Sequence, residues 1–398
     1  MISRIIPQQI FTRYFLRAAA ALAIITGPAA LVATAGPAKD MGPENFWKTS
    51  CFVYRDVNRN GIYDMGDRPY ADLAVEMVRP DGSVTRRVSN ISGFTNFEMI
   101  LNERNKAAIY EPGTYSVRAM VPRDWKVTAP DVANQTLVFV ARANAASGMV
   151  PVFGCNNIGV APELIISGAF SAGPGTPRAD ITVSAKTGDE PPINVLFDDS
   201  GNFRFPAKQG VWKITVTDKI THKSAARTVT VGAYNVIVST ISTEAPQPEP
   251  KSGELSVVDF DGLTTSDTLL EIPSGYAGLN WRYWISTHNK FYVGGGYVNG
   301  TVSGEFIAYN SSGLPASIWR DEPFDFVGTN ISVAWPYGEA DYVTVKAWRK
   351  GKLAYQDVFL TSNAGASYFA ADYLQVNRIE FSHGNYERIV LDDLLIRK

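Results

Sequence analysis

The sequence predicts an all-β protein, made of three tandem β-sandwich modules behind an N-terminal signal peptide. Apolar and polar residues alternate with period two in many short stretches, such as residues 211–217, which is the pattern of half-buried strands. Beyond the N-terminal segment, no long stretch has apolar residues at helical spacing. The 33 glycines and 23 prolines separate the candidate strands, as is typical of sandwiches and barrels.

Composition fits a folded protein of two to four domains in 398 residues. Hydrophobic residues make up 45% of the chain and charged residues 19%, a balance that favours buried cores over disorder. The formal net charge is -2, so the chain offers no overall basic field for a phosphate backbone. Nucleic acid is therefore not an expected partner.

Residues 1–35 resemble a bacterial secretory signal. Arg4, Arg13 and Arg17 precede an apolar run over residues 18–32, and small residues follow at 33–35. An uncleaved membrane anchor is the alternative, because the apolar run approaches the roughly 20 residues that span a bilayer. No second run of that length follows, so no stable membrane span is expected after cleavage. We expect a secreted, extracellular or cell-surface protein.

The two cysteines, Cys51 and Cys155, predict one disulfide in an oxidising compartment. Such a bond would close a loop of about 100 residues. The alternative is two separate buried thiols.

The chain divides into three blocks. The first covers residues 45–159 and the second residues 160–242, which hold six or seven candidate strands. A proline-rich linker at residues 243–253 has three prolines at alternate positions, which favours an extended, semi-rigid spacer. The third block, residues 254–398, holds five of the eight tryptophans.

The first block contains a candidate calcium loop that starts at Asp56 and ends at Asp67. Oxygen-bearing side chains recur at loop positions one, three, five, nine and twelve, with Gly61 at position six, as a calcium loop requires. The alternative is a polar hairpin loop whose side chains only satisfy turn backbone. The flanking segments look like strands, so this is not a helical EF-hand. The predicted ligands are Asp56, Asn58, Asn60, the carbonyl of Ile62, Asp64 and Asp67.

This loop, together with residues 74–78, 93–97 and 112–117, resembles the calcium-binding B domain of serine-aspartate repeat surface adhesins. The resemblance covers roughly the first block. It implies a prealbumin-like β-sandwich in which calcium stiffens a stalk. Asp67 departs from the usual last ligand, a glutamate that binds through both oxygens.

The second block resembles a carboxypeptidase-regulatory-like or immunoglobulin-like module, on the strength of residues 199–206 and 210–216. This implies a mechanical spacer. His222 lies in a polar turn and is expected to be solvated.

The third block resembles a jelly-roll carbohydrate-binding module, on the strength of residues 272–281 and 390–394. The first and last strands of a jelly roll commonly lie side by side. That arrangement would gather a carboxylate cluster, and a second calcium ion is one interpretation and separate solvated turn residues the other. The residues concerned are Asp259, Asp261, Asp392 and Asp393.

Trp319 and Tyr337 are the predicted ligand-binding aromatics, because each lies near a loop that contains glycine or proline. Flat aromatic faces suit sugar rings, although most aromatics of a sandwich belong to its core. We therefore expect carbohydrate, or a surface or matrix protein, as the partner.

Catalysis is not expected. The chain has three histidines, His222, His288 and His383, and lacks the sequence motifs of serine hydrolases, zinc peptidases and phosphate-binding loops. A glycosidase that needs only two carboxylates is the remaining enzymatic alternative. The sequence favours an exported, non-catalytic adhesin-like or matrix protein.

Overall fold

The computed structural model describes residues 46–100, 113–130, 134–139, 150–151, 155–173, 176–244, 247–264, 268–335 and 341–398. The predicted signal peptide and Tyr337 lie outside these ranges. Among the residues within them, no helix is long and apolar enough to cross a membrane.

The first block forms two sheets. One has the strand order β2-β1-β10-β7, with β5 and β9 also paired to β1, and the other has the order β4-β3-β6-β8. The strands are β1 (Phe46–Arg55), β2 (Arg68–Pro69), β3 (Ala74–Val78), β4 (Val84–Val88), β5 (Phe94–Ile100), β6 (Gly113–Met120), β7 (Trp125–Ala129), β8 (Asn134–Phe139), β9 (Val150–Pro151) and β10 (Ile158–Pro162).

Alternate side chains from both sheets meet in one core, which includes Val53, Val75, Tyr115 and Val160. This is the two-layer arrangement that period-two patterning favours. Cys51 and Cys155 are joined in a disulfide across a sequence separation of 104 residues. The bond ties β1 to the segment that enters β10.

The second block is a smaller sandwich with a core of its own. One sheet has the order β13-β12-β15-β16, and the other contains β14-β11-β17. Its strands are β11 (Ile165–Ser171), β12 (Ile181–Thr187), β13 (Ile193–Val195), β14 (Asn202–Pro206), β15 (Gly210–Asp218), β16 (Ser224–Val231) and β17 (Asn235–Ser242), with a 3₁₀ turn at Arg178–Asp180.

The third block contains a short helix, two 3₁₀ turns and ten strands among its described residues. These elements are β18 (Leu255–Val258), β19 (Leu270–Glu271), a turn at Tyr276–Gly278, β20 (Asn280–Arg282), β21 (Trp284–His288), α1 (Gly295–Asn299), β22 (Phe306–Asn310), a turn at Ser311–Gly313, β23 (Ala316–Val333), β24 (Asp341–Arg349), β25 (Lys352–Thr361), β26 (Ser367–His383) and β27 (Ile389–Arg397).

The first and last strands of this block are neighbours. β18 pairs antiparallel with β27, so that Leu255 lies opposite Arg397 and Val258 opposite Leu394. The adjacency predicted from the sequence is confirmed. The protein is all-β, and the sandwich fold class predicted from the period-two pattern is correct.

The three blocks are linked by a shared sheet and by shared core residues, which separate tandem modules would not have. β17 of the second block pairs in parallel with β26 of the third, so one 13-stranded sheet runs through both. Core residues also cross the block boundaries, because Ala364 packs in the core of the first block and Ala370 in that of the second. The domain boundaries themselves stay predictions.

Residues 247–251 of the linker predicted at residues 243–253 lie against the third block. The main-chain N–H of Lys251 donates to Asp325 at 2.6 Å, and Gln375 donates to the carbonyl of Glu249 at 2.8 Å. The hydroxyl of Tyr355 donates to Gln247 at 2.6 Å. These bonds fix residues 247–251 to the third block, a contact that the predicted extended, semi-rigid spacer did not include.

Candidate binding face and candidate calcium sites

An open face of the third block carries two tryptophans in one row. Trp319 on β23 lies opposite Arg378 on β26, and Arg378 lies opposite Trp348 on β24. Residues opposite each other in antiparallel strands project from the same face. Their sequence neighbours Ile318, Ile379 and Ala347 are buried in the core, so this row faces outward.

We call this surface the binding face and define it by two rows of side chains. The first row continues to Asn280 on β20 and Leu353 on β25. The second row is polar and lies two residues further along each strand, or three residues on β25, where the register shifts. The first row is Asn280, Trp319, Arg378, Trp348 and Leu353, and the second is Arg282, Ser317, Glu380, Lys346 and Gln356.

Arg378 is held rigidly at the centre of the binding face. Its guanidinium lies 4.8 Å from the ring centre of Trp348, donates to the hydroxyl of Ser317 at 3.0 Å and pairs with Glu380. The Arg378 side chain is still 46% exposed. Stacking and ion pairing fix its direction, and its exposure leaves donors available to a ligand.

Two spacings between neighbouring strands separate Trp319 from Trp348, which is roughly 10 Å. Both side chains are half-buried. The row therefore combines apolar ring surface with fixed hydrogen-bonding groups, the combination by which proteins bind polar small ligands. Chemically, it can hold an extended ligand with alternating apolar and polar faces.

The sequence analysis selected Trp319 as a ligand-binding residue but neither Trp348 nor Arg378, which share its row; the role of Trp319 stays a prediction. Residues 341–348 contain the missed signal, because Val343, Val345 and Ala347 alternate with larger or polar residues. That alternation predicts that Trp348 and Lys346 share the outer face. Tyr337, the other predicted aromatic, lies outside the described residues.

The predicted calcium loop between β1 and β2 closes on itself through its own side chains. The two carboxylate oxygens of Asp56 accept the main-chain N–H groups of Asn60 at 3.1 Å and Gly61 at 2.9 Å. Those of Asp67 accept from Val57 at 2.8 Å and Asp64 at 3.1 Å. Gly61 has φ +75, a conformation that glycine adopts without strain.

Polar side chains of this loop converge on Asp64. The amide nitrogens of Asn58 and Asn60 donate to its carboxylate at 3.0 and 2.7 Å. The pKa of Asp67 is raised, chiefly by burial and further by the charges of Asp56 and Asp64. The pKa of Tyr54 is raised to about 12 by burial and by the same carboxylates. Three negative charges therefore lie close together.

Carboxylate, amide and carbonyl oxygens are the ligands that calcium takes, and this loop contains all three kinds. The amide oxygens of Asn58 and Asn60 accept the main-chain N–H groups of Asn60 at 3.1 Å and Ile62 at 2.8 Å, and each oxygen has a second lone pair for a cation. The side chain of Ile62 is 64% exposed, which leaves any role for this residue to its carbonyl.

The second predicted set lies around the loop from Thr301 to Phe306. One oxygen of Asp392 accepts from Val302 at 2.6 Å and Ser303 at 3.0 Å. Asp393 accepts from the Ser303 hydroxyl at 2.7 Å. Asp261 accepts from the main-chain N–H groups of Glu305 at 2.6 Å and Phe306 at 3.0 Å.

The electrostatics of this cluster are those of crowded carboxylates. The pKa of Asp392 is raised to about 7, first by burial and then by Asp393. The pKa of Asp393 is also raised, chiefly by burial and further by Asp259 and Asp261. The charges of the other three residues thus bear on Asp393 or on its neighbour Asp392, and the second calcium ion stays a prediction. Asp261 and Asp392, however, use their oxygens to hold the loop.

No three His, Cys, Asp or Glu side chains are grouped as metal ligands within the described ranges. A cation in either place would therefore depend on amide and main-chain oxygens as well. Among the histidines, His288 lies 3.6 Å from Glu305, and the buried His383 lies 3.8 Å from Asp341.

The two candidate calcium sites lie on either side of one contact between blocks. Arg55, which precedes the first loop, is 2% exposed and donates to the carbonyls of Asn299 at 2.7 Å and Thr301 at 2.5 Å. Arg68, which follows the loop, donates to the carbonyl of Gly304 at 2.7 Å. Both ends of the first loop therefore bind the segment held by the second cluster.

No protein-family model matches the chain, and no curated protein matches it. Among solved structures, it is similar to the TIE protein of Bacillus anthracis, with 8% identity, a TM-score of 0.21 and coverage of 50% of this chain and 34% of that one. The chain thus spans about a third of the length of that protein.

It is also similar to a xylan-binding domain of Paenibacillus barcinonensis, with 12% identity, a TM-score of 0.24 and coverage of 37% and 97% of the two chains. A minor pilin of Streptococcus agalactiae shows 13% identity, a TM-score of 0.20 and coverage of 52% and 99%. Pilins and carbohydrate-binding modules are thus both among the similar structures.

Proposed function

We propose that this chain is an exported, non-catalytic binding protein of the cell surface or its surroundings. In this proposal the third block binds carbohydrate through the binding face, and the first block is stiffened by calcium. The observation that carries the proposal is the outward row of Trp319, Arg378 and Trp348 across three neighbouring strands.

The binding face supports a carbohydrate ligand because sugars are amphipathic. Their ring faces are apolar enough to cover tryptophan, while their hydroxyls need directed donors and acceptors. Arg378 and Glu380 supply these groups directly beside the two tryptophans. The face is open along the strands, so it suits a chain of sugars that runs across the sheet.

The predicted calcium ions have a structural role in this proposal. Asp56, Asn58, Asn60, Asp64, Asp67 and the Ile62 carbonyl would hold the first, and Asp259, Asp261, Asp392 and Asp393 would hold the second. Bound calcium supplies positive charge to crowded carboxylates. Because Arg55 and Arg68 flank the first loop, its order would also fix how the first block contacts the third.

The test is binding of the full-length protein to soluble polysaccharides, measured by affinity electrophoresis and calorimetry. Trp319→Ala and Trp348→Ala should each weaken binding at least tenfold, while Tyr386→Ala, which removes a 64% exposed ring in a turn, should not. Unchanged binding by both tryptophan variants, or hydrolysis of the polysaccharide, would contradict the proposal.

A protein ligand is the second candidate, favoured by an apolar end of the same face. Tyr342 lies opposite Leu360, and their side chains are 63% and 50% exposed. A matrix or surface protein that docks there would be lost with Tyr342→Ser and Leu360→Ser. Carbohydrate binding would keep its dependence on Trp319.

A further inference from the structure

Two cations of the binding face have no acidic partner among the described residues. Within the described ranges neither Lys346 nor Arg282 forms an ion pair, because Glu380, which lies opposite Lys346, is bound by Arg378. The guanidinium of Arg282 lies 3.1 Å from the hydroxyl of the neighbouring Tyr283 and 4.8 Å from its ring centre. Arg378, in contrast, is paired with Glu380. The two rows thus hold three cationic side chains and one anionic one, in a protein whose formal net charge is -2.

These unpaired cations lie in the same row. Arg282 is opposite Ser317, Ser317 is opposite Glu380, and Glu380 is opposite Lys346. Three strand spacings separate the two cations, which is roughly 14 Å. The positive side chains lie on β20, β26 and β24. The acidic Asp321 and Glu322 lie outside the two rows, in the bulge of β23 beyond Trp319.

We infer that the ligand of the binding face is an anionic polysaccharide, whose chain covers the tryptophan row and whose acidic groups meet Arg282 and Lys346. This inference rests on the proposed function. A neutral sugar would leave Arg282 without a counter-charge and Lys346 with only Glu380, which already pairs with Arg378. Carboxylates or sulfates along a sugar chain would supply two, and their spacing requires an oligosaccharide instead of a single ring.

The experiment compares full-length protein on polygalacturonic acid, which is carboxylated, and dextran sulfate, which is sulfated, with neutral dextran and mannan. Binding should favour one of the anionic polymers, and the favoured polymer tells carboxylate from sulfate. Because Arg282 is exposed and Lys346 only half-buried, affinity should fall as salt is raised from 50 to 500 mM. Arg282→Gln and Lys346→Gln should each weaken binding by roughly three- to tenfold.

Lys346→Arg keeps the charge and should retain binding. Lys213→Gln removes an exposed strand lysine from β15 of the second block and should have no effect. If a neutral glycan binds as tightly, without salt dependence, and only the Trp319 and Trp348 variants lose it, this inference is overturned and the proposed function stands. If none of the polymers binds, both fail.

Discussion

Arg55 is expected to hold the first block against the third. Its guanidinium, almost fully buried, makes two hydrogen bonds to carbonyls of the third block and lies 5.4 Å from the ring centre of Tyr234 in the second. Arg55→Ala should therefore loosen a three-way junction and not only one domain.

The magnitude follows from the contacts. A hydrogen bond from a charged group contributes about 1.5 to 3 kcal/mol, and Arg55→Ala leaves the carbonyls of Asn299 and Thr301 buried without these donors. The expected loss is about 3 to 5 kcal/mol, after allowance for the cost of burying the charge. In an unfolding unit of about 100 to 150 residues, where 1 kcal/mol corresponds to roughly 4 °C, this lowers the melting temperature by about 12 to 20 °C.

Scanning calorimetry of the full chain measures the effect. Wild-type protein should unfold with the first and third blocks coupled, and Arg55→Ala should separate an earlier transition of the first block. Arg55→Lys keeps the charge but not the two-pronged geometry, so it should lie between the two. Arg87→Ala, at an exposed position on β4, is the matched control. A calorimetric trace of Arg55→Ala identical to that of wild type would refute the reasoning.

Three further predictions concern the calcium loop, the disulfide and His383. Calcium at 100 times its dissociation constant should stabilise the first block by about 2.7 kcal/mol. In thermal melts, Asp56→Asn should remove this gain and the exposed Asp81→Asn should not. Equal melting temperatures in calcium and in chelator would contradict the site. Replacing Cys51 and Cys155 by serine should cost as much as about 4 to 5 kcal/mol, and unchanged denaturation after reduction of wild type would contradict this. Burial lowers the pKa of His383, whose Nδ1 accepts from the N–H groups of Asn385 and Glu387 at 3.1 and 3.3 Å. As pH falls through about 6.5, His383 therefore gains a proton in the unfolded chain before it does in the folded one, and the free energy of unfolding should drop by as much as about 1.4 kcal/mol per pH unit below that pH. In denaturant titrations, His383→Asn should flatten this slope, and His222→Asn, in an exposed turn, should not. Equal slopes in wild type and both variants would contradict the role of His383.

Period-two patterning predicted the strands because it depends only on which side chains face a core. The pairing of β18 with β27 also followed from the sequence, through the jelly-roll resemblance. Register was not predictable in the same way. β23 shifts register between Trp319 and Phe324, and such bulges depend on the partner strands.

The contacts between blocks could not be read from the sequence, because a buried arginine looks like a solvated one. Arg55 is identified only when the carbonyls of Asn299 and Thr301 are placed around it. The linker shows the same limit. Its alternate prolines favour extension, but the bonds that Lys251 and Glu249 make to the third block depend on tertiary structure.

The binding face is tested most directly by the indole N–H signals of the tryptophans in nuclear magnetic resonance. Full-length protein would be titrated with an oligosaccharide of the polymer that binds. Trp319 and Trp348 should shift together with saturation, while the indoles of Trp212 and Trp281, bonded to carbonyls at 2.9 and 3.1 Å, stay in place. Saturable binding that leaves Trp319 and Trp348 unmoved would contradict the assignment of this face as the ligand site.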